Sequence, residues 1–326
     1  MAERTRSLDD MLAKATERVP WLPDDTKSGA RFERLSIGGE HFVLKYQDPT
    51  DDWLLRATGD PGDRYVRLWD RGLIDRLPEV IDSAVVAASF DGSVGRVLLR
   101  DISDTLLTPG RPFSCEQHVR FLNHMAALHA AFWGWHDDVG LTPLDVRYLA
   151  FSPKIAMAEA ELGSDLLVPT VMAKGWDALP TVSPTLAGTV LPLLDDVGPL
   201  IAAIEQVPHT LVHGDWKSAN LGSHVDGRTV LLDFGELPGE ASPLADLSWY
   251  LALNVDLLPE SKDEAIATYR TALEREGVET AGWWDQALSI ELFGTMVQFG
   301  WEKVLNGPSD DLTWWEGWAI RGAQCL

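Results

Sequence analysis

A chain of 326 residues, 45% apolar and 24% charged, has the make-up of a globular protein able to bury one large core or two moderate ones. Its formal net charge of −23 excludes the basic surface that non-specific nucleic-acid binding needs and disfavours an anionic substrate, although a general solubility signature accounts for the excess equally well. Two cysteines, Cys115 and Cys325, exclude a disulfide framework or a metal-ligand spacing, and no run of eighteen apolar residues offers a membrane span.

In chain order, the charged start MAERTRSLDD lacks the apolar stretch of a signal peptide, so a cytoplasmic location is expected. Residues 7–19 predict an amphipathic helix: Ser7 and Asp10 suit a cap, Leu8, Met11, Leu12, Ala15 and Val19 keep helical spacing, and Pro20 and Pro23 end it. Two alternating runs, 32–37 and 41–45, flank Gly38-Gly39 and predict a hairpin. A helical segment follows over 63–77, then strands over 80–89 and 95–99 around Asp91-Gly92. Residues 116–133 predict a buried helix, on which His118, His124 and His129 read as core or surface residues rather than ligands. Residues 137–190 carry several proline breaks and one predicted helix, near 153–162; another is expected over 195–206. Past residue 243 the chain reads as helical over 244–257, 261–276 (with Ser261 and Glu264 as a capping box), 283–305 and 313–323. The tryptophans crowding this last part suit packing between helices, with stacking on a sugar ring or a cation as the alternative.

The most informative stretch is 211–235, LVHGDWKSANLGSHVDGRTVLLDFG, in which two short apolar runs carry one polar loop. Phosphoryl transfer needs a carboxylate within reach of the acceptor hydroxyl, and Mg²⁺ takes hard oxygen ligands while keeping substrate phosphates in its shell. Asp215 fits the first role, and Asn220 with Asp233 fits the second. HGDWKSAN followed by DFG resembles the core of the aminoglycoside phosphotransferase and choline kinase group, which has a protein-kinase-like fold.

That resemblance implies an α+β fold of two lobes: a small antiparallel-sheet lobe over 1–103 that binds nucleotide, and a larger, mostly helical lobe over 104–326 that carries catalysis and the acceptor. It implies ATP and Mg²⁺ as cofactors and a small-molecule hydroxyl acceptor, with neither nucleic acid nor membrane as partner. Lys217 would touch the transferred phosphate, and Lys45, in FVLK, would pair the α and β phosphates. Two stretches compete for the phosphate-covering loop, Gly38-Gly39 and Ser28-Gly29-Ala30; the second, one strand earlier, is preferred, which assigns Ser28 and Gly29 to the nucleotide. The acidic partner of Lys45 is usually a Glu on the next helix, yet 46–77 contain no Glu, and Asp63 is the candidate. Asp101 and Ser103 fall at the hinge that meets adenine, and Asp246 at the position that braces the loop. The short segment between Asp233 and Asp246, and Gly214 where protein kinases carry Arg, point to a small-molecule acceptor such as an aminoglycoside, a sugar or an amino alcohol. A catalytically silent nucleotide-binding regulator is the alternative.

Overall fold

The computed structural model describes residues 7–23 and 26–326; the charged residues 1–6 of the N-terminus lie outside it. Instead of one cut near residue 103, the chain divides discontinuously into two compact units, one ending at Arg111 and resuming over Ser218–Glu236, the other formed by Pro112–Lys217 and Leu237–Leu326.

The first unit opens with α1 (Leu8–Leu12) and β1 (Ala15–Trp21), which corrects the helix expected over 7–19. Ser7 makes no side-chain cap, and from Ala15 the chain pairs antiparallel with β2 (Phe32–Ile37), a tertiary pairing that overrides the helical spacing of its apolar residues. Pro20 is tolerated because β1 is an edge strand. β2 and β3 (Glu40–Gln47) form the expected hairpin, its turn made by Gly38 and Gly39 at φ 63° and 89°. After α2 (Trp53–Thr58) and α3 (Arg64–Asp70) come β4 (Ile81–Asp82), β5 (Val85–Phe90) and β6 (Gly95–Arg100). The strand expected over 80–89 is thus split, at Ala84, which has a left-handed φ of 57°. The sheet order is β1-β2-β3-β6-β5, and Leu8, Met11, Leu35, Phe42, Leu44, Ala87 and Leu98 make a core against it. β7 (Thr210–Val212) belongs to the second unit; β8 (Leu221–Ser223) and β9 (Thr229–Leu231) join β4 in a second small sheet of the first.

The second unit is mostly helical. Ser114 and Gln117 form a capping box for α4 (Cys115–Ala131). Residues 137–190, read from sequence as broken by prolines with one helix near 153–162, are largely helix: α5 (Leu144–Leu149), α6 (Pro153–Glu161), α7 (Leu167–Val182) and α8 (Pro184–Asp195). Pro153 and Pro184 sit in first turns, where no amide partner is lost, while Pro180 and Pro192 stand in the last turns of α7 and α8. α9 (Gly198–Ile204) leads to β7, which pairs with β10 (Gly239–Ala241). α10 (Leu244–Leu253), α11 (Lys262–Arg275), α12 (Trp284–Lys303) and α13 (Asp310–Ala323) follow, with α12 buried on nearly every side. Trp284 and Trp315 are buried among these helices, as packing predicts. No single described helix is long and apolar enough to cross a membrane.

Candidate functional site

In the first unit two sequence candidates, Lys45 and Asp233, meet directly. Strand alternation turns the Lys45 side chain inward, where it is 2% exposed. Its Nζ donates to Asp233 Oδ1 at 2.7 Å and to Glu236 Oε1 at 3.0 Å, partners some 190 positions along the chain. Burial alone would push the ammonium down, but the charges of Asp233, Glu236 and Asp52 outweigh it and hold the group well above its usual range. Asp233 is one of three described non-glycine residues in the left-handed region, at φ 58°, a strained backbone of the kind that clusters at functional sites.

Asp63 is not among the acids acting on Lys45. It heads α3 and pairs with Arg67 at 3.0 Å, so the partner expected there is corrected to Asp233 and Glu236. α3 turns other side chains inward instead. Arg64 donates to the Glu236 carbonyl at 2.9 Å, and Tyr65 lies so close to Gly235 that a Cβ there would come within 2.2 Å of its ring. Asp52, missed from sequence, caps α2 through the amides of Leu54 and Leu55. Burial raises its carboxyl, against the pull of Lys45 and the Ser28 hydroxyl. Ser28 and Gly29 lie on the β1–β2 connection, where the Ser28 carbonyl accepts from Trp53 N at 3.0 Å and Gly29 adopts φ 93°. Asp101 and Ser103 follow β6; the Asp101 amide donates to the His41 carbonyl at 3.0 Å, and the Asp101 carboxylate accepts from the amide and hydroxyl of Ser103. Asn220, 4% exposed, closes a short 3₁₀ turn, and its carbonyl accepts from Leu232 N at 2.9 Å. Asn220 and Asp233 carry side-chain oxygens of the hard kind that Mg²⁺ takes, and at 27% exposure the Asp233 side chain keeps access to solvent. Among the described residues no cluster of three His, Cys, Asp or Glu side chains is set to bind a metal.

In the second unit, Asp215 follows β7 on a loop that glycine makes possible. Gly214 has φ 83°, and a Cβ there would stand 2.0 Å from the Leu237 carbonyl oxygen. Asp246, fully buried on α10, accepts from the amides of His213 and Gly214, both at 2.7 Å, and its Oδ2 meets His129 Nε2 at 3.1 Å. Burial pushes the Asp246 carboxyl up, but His129, His213 and the Gly214 amide bring it below its usual range. Asp215 is itself 3% exposed. Its Oδ1 accepts from the indole N–H of Trp249 at 3.0 Å and its Oδ2 from Lys217 Nζ at 2.7 Å. Trp249 packs edge-on against Phe299, 4.6 Å between centroids, and against Phe151 at 5.8 Å. Nothing in the sequence marks Trp249 except its place three residues after Asp246, one turn along the same helix. If Asp215 carries a catalytic step, Trp249→Phe, which keeps that packing, should lower turnover about tenfold, the worth of one hydrogen bond to a charged group. Steady-state rates of the purified variant check it, and an unchanged kcat would refute it.

Arg147 and Tyr148, both buried, extend this arrangement. The Arg147 guanidinium donates to the Leu237 carbonyl, and the Tyr148 hydroxyl donates to Glu291 Oε2 at 2.6 Å. Burial pushes the Glu291 carboxyl up to about 7, against the pull of Tyr148 and Arg147. The unfolded chain therefore loses this proton first, near its ordinary 4.5. Stability contributed by the group falls as pH rises through that window and is constant above it. Glu291→Gln, which keeps an acceptor for Tyr148, is expected to raise stability by up to about 3 kcal/mol at about pH 8 and to flatten the slope. Denaturant midpoints at about pH 5 and 8 check this, and a variant less stable than wild type at the higher pH would refute it.

This architecture has a counterpart among solved structures. The choline kinase LicA from Streptococcus pneumoniae superposes with a TM-score of 0.53 at 12% sequence identity, over 97% of this chain and 95% of that one. The chain has the kinase-like fold. An aminoglycoside phosphotransferase APH(4)-Ia in ternary complex with ADP and hygromycin B matches this kinase-like chain with a TM-score of 0.48 at 16% identity, over 95% of this chain and 94% of that one. The aminoglycoside-3'-phosphotransferase of type VIII matches with 0.44 at 19%, over 96% and 98%. No family model matches the sequence, and no curated protein matches it.

Proposed function

We propose that this chain is an ATP- and Mg²⁺-dependent phosphotransferase that moves the γ-phosphate to a hydroxyl of a small-molecule acceptor. One observation carries the reading: a buried strand lysine and the aspartate of a DFG segment, 188 residues apart, meet in a 2.7 Å ion pair. A buried lysine costs much to desolvate and is retained where a phosphate charge needs a fixed counter-charge. The first unit would bind the nucleotide, with Lys45 on its phosphates, Ser28 and Gly29 covering them, and the backbone at Asp101 and Ser103 meeting the base. Asn220 and Asp233 would hold the metal, which when bound neutralises charge on the phosphates. Asp215 would orient the acceptor hydroxyl and take its proton, while Lys217, now on the Asp215 carboxylate, would turn its charge to the phosphoryl group. The acceptor classes are those of the structural neighbours, aminoglycosides and choline-like amino alcohols, together with sugars; the net charge favours a neutral or cationic one.

The test is Mg²⁺-dependent ADP release from ATP across a panel of aminoglycosides, sugars, amino sugars and amino alcohols, with Asp215→Asn as control. Acceptor-stimulated release lost in the variant supports the reading. ATP binding without stimulation by any acceptor would turn it toward a silent nucleotide-binding protein, and absence of ATP binding would sink both.

A further inference from the structure

The acid missing from the helix after Lys45 has a counterpart elsewhere. Residues 46–77 contain no glutamate, and α3 presents to the DFG segment an arginine and a tyrosine. Both act on the turn that runs from Asp233 to Glu236. Tyr65 packs on Gly235 and Arg64 holds the Glu236 carbonyl, while Asp60 in turn pairs with Arg64 at 3.5 Å. The turn so fixed points Glu236 Oε1 at Lys45 Nζ, 3.0 Å away, with the Glu236 side chain 12% exposed.

We propose that Glu236 is the positioning residue for Lys45, supplying from the DFG turn the carboxylate that the helix lacks; this rests on the phosphotransferase reading above. Two acids touch the ammonium, but they are not equivalent. Asp233 is the one the metal would claim, and a carboxylate engaged by a divalent cation no longer neutralises the lysine. Asp52, the third acid acting on Lys45, is spent on the amides of α2. Glu236 alone is then left in direct contact to hold Lys45 against the entropy of a four-carbon stem and to aim it at the phosphates.

The test uses the full chain with Glu236→Gln, Lys45→Met and the double variant, each titrated with ATP at a series of Mg²⁺ concentrations and assayed for acceptor-stimulated ADP release. In Glu236→Gln, Lys45 is left to Asp233, so metal and lysine compete for one carboxylate. We expect half-saturating Mg²⁺ for ATP binding to rise about tenfold and kcat to fall at least tenfold, with Glu236→Asp recovering part of both. In the Lys45→Met background Glu236→Gln should add less than about twofold, since there is no ammonium left to position. A Glu236→Gln protein with wild-type Mg²⁺ dependence, or losses that multiply in the double variant, would overturn the inference. Wild type that binds ATP but phosphorylates no acceptor would defeat the phosphotransferase reading alone, because the Mg²⁺ titration of ATP binding still decides the role of Glu236.

Discussion

Asp215→Asn is expected to lower turnover about a thousandfold while changing ATP affinity less than about twofold, the signature of a group needed in the transition state rather than for nucleotide binding. The substitution is nearly isosteric. The Asn carbonyl can still accept the Trp249 indole proton, now made to Asp215 Oδ1 at 3.0 Å, and the buried loop keeps its shape. What is lost is the charge. The amide cannot take the acceptor's proton, and its NH₂ face replaces the oxygen that meets Lys217 at 2.7 Å, so the ammonium loses its local partner. Rates of ADP release with a stimulating acceptor, set beside calorimetric ATP titrations, measure the two quantities separately. Turnover within tenfold of wild type would remove Asp215 from the role of base.

Asp246→Ala should produce the largest loss of stability, about 3–5 kcal/mol, because it removes a fully buried carboxylate and leaves the groups it satisfies without it. Two backbone amides, at His213 and Gly214, and the Nε2 of His129 would face the gap. The His129 ring is held on its other side by the Tyr269 hydroxyl at 2.6 Å, so it cannot swing to a new partner without giving up that bond. For a chain of this size the loss corresponds to a fall of about 4–7 °C in Tm. Asp246→Asn, which keeps one acceptor oxygen, should lose about half as much. Thermal unfolding of the three proteins checks the series, and a Tm for Asp246→Ala within about 2 °C of wild type would show that the loop does not depend on this brace.

The sequence made legible what rests on side-chain chemistry over short spans. HGDWKSAN and DFG stand out because few backgrounds place those oxygens at that spacing, and Gly38-Gly39 because both residues need the positive φ they adopt. Lys45 followed from the resemblance of FVLK to the strand lysine that pairs the phosphates. Its acidic partners did not: Asp233 and Glu236 lie across nearly two hundred residues, and no period connects them. Local spacing also misread residues 15–19, whose strand depends on a neighbour that α1 alone does not announce, and 163–190, where prolines in first and last turns leave helices standing. Trp249 and Arg147 were invisible for a related reason, since an indole or a guanidinium in an apolar run reads as packing or as surface until the fold shows which atom it meets.

The discontinuous first unit bears on how the protein can be taken apart. A gene fragment ending at Arg111 would hold the whole five-stranded sheet yet omit β8 and β9, leaving β4 with no strand beside it. The same fragment would bury Lys45 with neither of its contacting carboxylates, a cost that a lone ammonium in an apolar setting does not survive without losing its proton. Expression of separate halves, limited digestion and recombination with other chains are therefore poor ways to isolate the nucleotide-binding part. Joining residues 7–111 to 218–236 through a short linker preserves the set that the ion pair requires.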